Sequence, residues 1–253
     1  MSIVLTPKDL SISIVSHGHG SIVRNLLWDL QPIMQKGAQV LLTLNIPENE
    51  QFLAGLPIQP ELIRNQSIKG FGENHNQAFE KVDRLWFAVI NPDIRVEAKV
   101  FENLLLDCRR KHIGVIAPLI LGVNGLIEES GRFFPSLNRI ICRIAKRLLR
   151  YRSKHDYDLS ADNLVSVDWI AGCFMLFSSH AYSLIGGFDK NYFMYLEDTD
   201  ICRRLRFAGF EVMISTNINA IHRAQYASRS QLRHFYWHIK SMLHFLWKNR
   251  RLQ

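Results

Sequence analysis

The chain has 253 residues, of which 47% are hydrophobic and 21% are charged, and its formal net charge is +8. This composition is typical of a globular protein with a large core, and it excludes disordered and fibrous classes. The four cysteines form no CxxC pair and no apolar run approaches about 18 residues, so we expect a reducing compartment and no zinc knuckle, disulfide framework, signal peptide or membrane span.

Strands alternate with helices through the first half of the chain. The strands are predicted at 11–16, 38–44, 85–90 and 113–117. The helices between them are predicted at 22–30, 70–82 and 97–111. This spacing predicts an α/β protein with a Rossmann-like, mainly parallel central sheet and helices on both faces.

The second half is less regular. Apolar structure returns at 165–177, and a helix at 197–208 precedes a strand at 211–215. Since the sequence contains no internal repeat and no linker, it predicts one domain over residues 1–253.

Positive charge is concentrated in two segments that contain no acidic residue. Seven basic residues lie between Arg139 and Lys154, and seven more lie between Arg223 and the C-terminus, so the rest of the chain is net acidic. Both segments repeat apolar residues at helical spacing. Such helices can pack on the body of the protein, lie on an anionic membrane, or do both. Nucleic-acid binding is not expected, because no recognition motif is present. In the second segment the apolar residues are Leu232, Phe235, Tyr236, Ile239, Met242, Leu243 and Leu246.

A predicted strand ends at Asn91-Pro92-Asp93, where an open α/β sheet binds its ligands. Neither the dinucleotide-binding nor the phosphate-loop glycine motif occurs in the chain, so a metal ion is expected to bind the phosphates. Asp93 is well placed to hold Mg²⁺ or Mn²⁺. The alternative is that Asp93 only forms a turn or caps a helix.

Three carboxylates, Glu197, Asp198 and Asp200, occur within four residues. Crowded and partly buried carboxylates have raised pKa values, which suits a general base. Acidic residues are also favoured at a helix N-terminus, and the two interpretations can apply to different members of the cluster. His222 follows an apolar strand and is either a metal ligand or structural.

These pieces, in this order, resemble the family 2 glycosyltransferases with a GT-A fold. The resemblance is carried by residues 14–19, 70–76, 91–93, 168–175, 187–189 and 192–202, and it is strongest to bacterial rhamnosyltransferases of O-antigen and capsule assembly. One departure concerns the second strand, where the family usually has an aspartate that contacts the nucleotide base. Here Leu44 takes that position, and Asn45 offers a donor and an acceptor instead.

The resemblance implies roles for individual residues. Asp93 corresponds to the end of the metal-binding motif, His222 to a position facing the diphosphate and metal, and Asp198 to the catalytic aspartate, with Glu197 beside it. The expected nucleotide-sugar contacts are Ser16, His17, Gly18, Asn45, Gly70, Phe71, Gly72, Asn76 and Asn91.

The implied activity is an inverting, Mg²⁺- or Mn²⁺-dependent hexosyl transfer, with dTDP-rhamnose as donor and a sugar or oligosaccharide on polyprenyl diphosphate as acceptor. With this activity we expect a nucleotide-sugar half at about 1–95, an acceptor and catalytic half at about 96–222, and a basic amphipathic tail at about 223–253. The expected location is the cytoplasmic face of the bacterial membrane, as a peripheral protein on anionic lipid. Alternatives are a UDP-sugar donor, a non-catalytic membrane-associated homologue, or a nucleotidyltransferase, although residues 16–24 lack the phosphate loop of that class.

Overall fold

The first apolar segment forms a strand at the centre of the sheet because its residues are buried on both faces. In the computed structural model, β1 (Leu10–Ser16) pairs in parallel with β2 (Gln39–Leu44) on one side and with β4 (Trp86–Ile90) on the other. Continuous burial is what a parallel strand covered by helices requires. The structure describes residues 4–109, 112–128, 130–136, 138–139, 142, 156–159, 162–223 and 232–250.

The remaining elements follow in chain order. The helices are α1 (Gly20–Gln35), α2 (Phe71–Phe79), α3 (Ala98–Asp107), α4 (Ser179–Leu184), α5 (Glu197–Phe207) and α6 (Leu232–Arg250). The other strands are β3 (Glu61–Arg64), β5 (Ile94–Arg95), β6 (Ile113–Gly122), β7 (Gly131–Arg132), β8 (Leu164–Ser166), β9 (Trp169–Ile170), β10 (Phe174–Ser178) and β11 (Glu211–His222).

Nine of the described strands form one sheet, in the order β3-β2-β1-β4-β10-β6-β11-β5, with β8 alongside β11. β10 runs antiparallel to both of its neighbours, β4 and β6, whereas β6 and β11 are parallel to each other. The second half of the chain therefore inserts a strand into the sheet that the first half begins.

Two apolar layers cover the sheet. On one face α1 and α3 contribute Leu26, Leu30 and Phe101 to the larger core. On the other face α4 and α5 contribute Tyr182 and Ile201 to the second core. The predicted α/β class, with helices on both faces of a mainly parallel sheet, is confirmed.

Some predicted bounds were too short. α1 continues through Pro32 to Gln35, beyond the predicted end at Leu30. β11 extends to His222, because it pairs with β6 past a register shift between Ser215 and Asn219 and then with β5. Most of the first basic segment, residues 139–154, and the helix predicted for it lie outside the described residues.

Candidate active site

The carboxyl ends of β1, β2, β4, β6 and β11 lie along one edge of the sheet. Because β10 is antiparallel to β4 and β6, it begins at this edge: Phe174 pairs with Ile90, and the Asn91 amide donates to the Cys173 carbonyl at 2.9 Å. The turn after β4 is therefore next to the loop before β10. This edge is where open α/β sheets bind ligands.

Asp93 lies in the turn that follows β4. Its Oδ2 is 3.3 Å from Nε2 of His222. Its Oδ1 is buried and accepts no hydrogen bond from any described residue. A buried carboxylate oxygen without a donor is costly, and a bound cation would remove that cost.

His222 reaches Asp93 through the pairing of β11 with β5, in which His222 is opposite Ile94. The other ring nitrogen, Nδ1, is 2.7 Å from Oε2 of Glu128. The hydrogen bond to Asp93, helped by the one to Glu128 and opposed by burial, raises the pKa of His222 to about 9. Across the described residues, no three His, Cys, Asp or Glu side chains converge into a ready-made metal cage.

Glu128 was not among the residues singled out from the sequence. It is 94 positions from His222 and lies just beyond a turn with no motif of its own, so only the strand pairing reveals it. A cavity of about 400 Å³ opens beside this pair. The cavity is lined by Gly122, Val123, Asn124, Leu126, Ile127, Glu128, His222 and Arg223.

The other acidic group lies at the N-terminus of α5. Tyr195 and Leu196, just before the helix, have left-handed backbones with φ of 72° and 67°. Such φ values are unfavourable for residues other than glycine and persist only where surrounding contacts hold them. Here α6 supplies those contacts, since the Tyr195 hydroxyl is 2.9 Å from Nδ1 of His234 and Ser241 donates to the Met194 carbonyl at 2.9 Å.

Asp198 is half-buried and accepts hydrogen bonds from the Gly172 amide at 3.0 Å and the Thr199 amide at 2.7 Å. Burial raises its pKa, and these donors act in the opposite direction. The pKa of Glu197 is raised well above its ordinary value, first by burial and then by the charge of Asp198. Glu197 therefore holds its proton more strongly than Asp198 does.

Asp200 belongs to a different environment. Its carboxylate is buried and accepts hydrogen bonds from Arg204 Nε and Lys248 Nζ, both at 2.7 Å. Both oxygens are thus engaged by cations of α5 and α6. Asp200 is structural, whereas Glu197 and Asp198 have the environment of reactive groups.

Cys173 lies between the two acidic groups. Its pKa is raised to about 12, mainly by burial and further by the charges of Asp93, Glu128 and Asp198. The same loop supplies the Gly172 amide to Asp198 and the Cys173 carbonyl to Asn91. Asp93 and Asp198, far apart in sequence, therefore flank one short loop.

The Asn45 amide is fully used inside the protein. Its oxygen accepts from the Lys69 amide and from Asn65, both at 2.9 Å, and its nitrogen donates to the Lys69 carbonyl at 2.9 Å. Asn45 nitrogen is also 3.3 Å from Nδ1 of His17. The side chain thus ties the end of β2 to the loop before α2, and the donor and acceptor expected to face a nucleotide base are engaged there.

The segment 70–76 packs against the chain that precedes α5. A side chain at Gly70 would meet the Phe193 carbonyl at 2.6 Å, and one at Gly72 would meet Phe188 at 2.5 Å. The Asn76 amide bonds to both the amide and the carbonyl of Phe188, and its oxygen also accepts from the Tyr182 hydroxyl at 2.7 Å. These residues join the two halves of the chain through direct backbone contact.

The remaining candidates lie near the same edge. Ser16 is buried at the end of β1, His17 is exposed, and Gly18 follows with φ of 78°. Although His17 is largely exposed, partial loss of contact with water lowers the pKa of its ring, and the charges of His19 and Arg233 lower it further. Phe71 packs on His75, with ring centroids 4.6 Å apart.

Helix α6 has two different sides. On the inner side Phe245 is fully buried, Lys248 binds Asp189 and Asp200, and Trp237 packs on Phe193. No helix within the described ranges has the length and apolarity needed to cross a membrane. Large apolar side chains are exposed on the outer side, at Phe235, Tyr236, Ile239, Leu243 and Trp247.

Solved structures share this fold. GalNAc-T7, solved with UDP, GalNAc and Mn²⁺, matches 90% of the chain with a TM-score of 0.64 and 13% identity, and the chain covers 45% of it. The mannosyltransferase PcManGT from Pyrobaculum calidifontis, solved with GDP-Man and Mn²⁺, matches 87% with a TM-score of 0.61 and 10% identity, and 58% of it is covered. The chain therefore has the GT-A fold that these two glycosyltransferases share.

Sequence comparison identifies the family. Rhamnosyltransferase WbbL of Escherichia coli K12 is 30% identical over 94% of this chain and 93% of its own length. The N-acetylglucosaminyl-diphospho-decaprenol L-rhamnosyltransferase of Mycobacterium tuberculosis is 30% identical over 72% of this chain, which spans 61% of that relative. Residues 160–235 also match the family described as the N-terminal domain of galactosyltransferase. The chain belongs to the family 2 rhamnosyltransferases, as the resemblance in the sequence predicted.

Proposed function

We propose that this enzyme transfers L-rhamnose from dTDP-rhamnose, with inversion, to a sugar on polyprenyl diphosphate during synthesis of a bacterial surface polysaccharide. The observation that carries the proposal is the position of Asp93 and Asp198 on either side of the loop at Cys173. One sugar diphosphate bound along this loop would contact both groups. The names of the Escherichia coli and Mycobacterium tuberculosis relatives support the sugar and the lipid-linked acceptor.

Asp93 and His222 would hold a divalent cation, Mg²⁺ or Mn²⁺. The fit rests on the buried, unpartnered Oδ1 of Asp93 and on the nearby imidazole of His222. Two protein ligands suffice, since these cations keep several waters and take phosphate oxygens as further ligands. When bound, the cation neutralises negative charge on the departing nucleoside diphosphate, a contribution of several kcal/mol.

Asp198 would act as the general base. Its carboxylate takes the proton of the acceptor hydroxyl while that oxygen bonds to the anomeric carbon from the face opposite the diphosphate. The bond from that carbon to the diphosphate oxygen breaks, and its electron pair leaves with the nucleotide. Glu197 beside it has the more strongly raised pKa, so we assign proton acceptance to Asp198. Base catalysis of this kind contributes about 10²–10⁴-fold.

Segment 70–76 and Asn45 would shape the donor pocket without using their side-chain amides on the ligand. Because Asn45 and Asn76 are engaged inside the protein, we assign them to holding the loops between β2, α2 and α5. Contact with the nucleotide is left to the residues at and just beyond the ends of β1 and β4, namely Ser16, His17, Gly18 and Asn91.

Product release tests the reaction class. Purified protein is incubated with dTDP-rhamnose or UDP-sugars, with Mn²⁺ or Mg²⁺, and with N-acetylglucosaminyl-diphospho-polyprenol. We expect nucleoside diphosphate and a rhamnosylated lipid from dTDP-rhamnose alone. Pyrophosphate release would instead indicate a nucleotidyltransferase, and product from a UDP-sugar would replace the donor assignment.

We further propose that α6 places the enzyme on the cytoplasmic face of the membrane. Its outer side exposes five large apolar residues, and the exposed cations Arg233 and Lys240 lie on the same helix. Apolar burial and attraction to anionic lipid act together in such helices.

Co-sedimentation with anionic vesicles tests this location. Leu243→Asp should abolish binding, because it puts a negative charge into the apolar stripe. Leu184→Asp is the matched control, since Leu184 is 62% exposed and Leu243 is 64% exposed, but Leu184 belongs to α4. If Leu243→Asp bound vesicles as well as the control did, the membrane proposal would be refuted and the transferase proposal would stand.

A further inference from the structure

His222 lies between two carboxylates, one at each ring nitrogen. Nε2 is 3.3 Å from Asp93, and Nδ1 is 2.7 Å from Glu128. An ionised carboxylate only accepts hydrogen bonds, so Nδ1 carries a proton and donates it to Glu128. That bond fixes which nitrogen can face Asp93.

Glu128 is delivered by a β-hairpin at the end of β6. The Gly122 amide donates to the Leu126 carbonyl at 2.8 Å, the chain reverses at Gly125 with φ of 73°, and the Glu128 amide donates to the Ile120 carbonyl at 2.8 Å. Because β6 also pairs with β11, placing Gly122 opposite His222, the returning strand of the hairpin carries Glu128 to the imidazole.

The backbone leaves room for this contact at Gly122. A Cβ there would lie 3.2 Å from Oε1 of Glu128 and 3.0 Å from Oδ1 of Asn124, tighter than nearly all real Cβ contacts. The Glu128 side chain is 34% exposed, whereas that of His222 is 18% exposed. The hydrogen bond is therefore partly shielded from water, unlike a surface ion pair.

We propose that Glu128 is a positioning residue: it holds the ring of His222 so that Nε2 is directed at the cation beside Asp93. Partners that bind the second nitrogen of a metal-ligating histidine orient the ring and strengthen it as a ligand. Glu128 contacts Nδ1 of His222, so it leaves Nε2 of that ring to the cation. The inference rests on the proposed cation site at Asp93 and His222.

Mn²⁺ affinity in the presence of saturating dTDP, measured from the electron paramagnetic resonance signal of free Mn²⁺, tests the role without requiring turnover. Glu128→Ala should weaken Mn²⁺ binding by about 10–100-fold. Glu128→Gln, which keeps an acceptor oxygen but not the charge, should restore part of the affinity. Glu211→Ala is the control, an exposed glutamate at the other end of β11.

A double variant separates this inference from the proposed function. If Glu128 acts through His222, then Glu128→Ala should have no further effect in a His222→Ala background. Wild-type affinity in Glu128→Ala, with weakened binding in His222→Ala, would overturn the role of Glu128 and keep the cation site. Wild-type affinity in both variants would overturn the cation site as well. Should Glu128→Ala fail to fold, the near-isosteric Glu128→Gln carries the test, with a severalfold loss expected.

Discussion

The two acidic groups of the site differ in what surrounds them. Asp93 faces the imidazole of His222, whose other nitrogen contacts Glu128, and retains a buried oxygen with no hydrogen-bond donor among the described residues. Asp198 is bonded to two backbone amides, and its acidic neighbour Glu197 is buried. In the first environment His222, whose pKa is raised to about 9, supplies one positive charge against the two carboxylates of Asp93 and Glu128. In the second, burial and the charge of Asp198 raise the pKa of Glu197, so its two carboxyl groups differ in how readily they ionise.

This difference assigns the two groups to different steps. The Asp93 oxygen that has no hydrogen-bond donor can bind a cation that in turn binds diphosphate. The Asp198 carboxylate, whose orientation is fixed by two backbone amides, can accept a proton. The short loop at Gly172 and Cys173 links them, because it contacts Asp198 on one side and Asn91 on the other. A variant at Asp93 should therefore change cation binding, a variant at Asp198 should change proton transfer, and the two effects can be measured separately.

The largest effect is expected from Asp198→Asn. Asparagine keeps the shape but accepts no proton, so kcat should fall about 10²–10⁴-fold while the KM for donor changes little. Initial rates of nucleoside diphosphate release measure both constants. Turnover at the wild-type rate would remove Asp198 from the mechanism.

Lys248→Met sharpens the distinction between Asp198 and Asp200. The lysine binds Asp200, whose side chain is 3% exposed, and its loss leaves that buried carboxylate with Arg204 alone. We expect a loss of about 3 kcal/mol in the free energy of unfolding, or about 6–12 °C in Tm.

The exposed Lys240 on the same helix provides the control variant, Lys240→Met, which should leave Tm unchanged. Differential scanning calorimetry compares the two. An unchanged Tm in Lys248→Met would mean that α6 is not held to α5 by these ion pairs.

Glu197→Gln should give the smallest effect, and its sign depends on pH. The folded pKa of Glu197 is raised by burial, so above the ordinary value of 4.5 the unfolded state ionises first and wild-type stability falls as pH rises towards the folded pKa. Glutamine avoids this loss. Its Tm should exceed that of wild type near neutral pH, and the gain should vanish below pH 4.5. A gain of equal size at low pH would contradict the raised pKa.

Local pattern predicted the elements whose burial is continuous. β4 is apolar along its length, and β1 alternates Leu10, Ile12 and Ile14 with buried serines, so the positions of both strands, and that of Asp93 after β4, followed from the sequence. Glu128 could not be predicted, because its contact with His222 depends on two strand pairings across 94 residues. The internal hydrogen bonds of Asn45 and Asn76 could not be predicted either, because the sequence does not show whether an asparagine amide binds a ligand or a loop of the protein.

The different roles within the acidic cluster could not be predicted from the sequence either. Its three carboxylates are nearly adjacent in sequence, yet Asp200 is the one among them that Lys248 and Arg204 bind. Helical geometry turns that residue away from Asp198, and α6, which supplies the lysine, is some fifty residues further along the chain. Sequence spacing alone did not divide the cluster into structural and reactive members.

Donor binding to two variants tests the central claim, that Asp93 and Asp198 face the same sugar diphosphate from opposite ends. Isothermal titration of dTDP-rhamnose, with and without Mn²⁺, should give Asp198→Asn a donor affinity close to that of wild type and strengthened by Mn²⁺. The same titration of Asp93→Asn should give weaker binding that Mn²⁺ does not improve. If Mn²⁺ strengthened donor binding equally in both variants, the account of one cation beside Asp93 and one base at Asp198 would be contradicted.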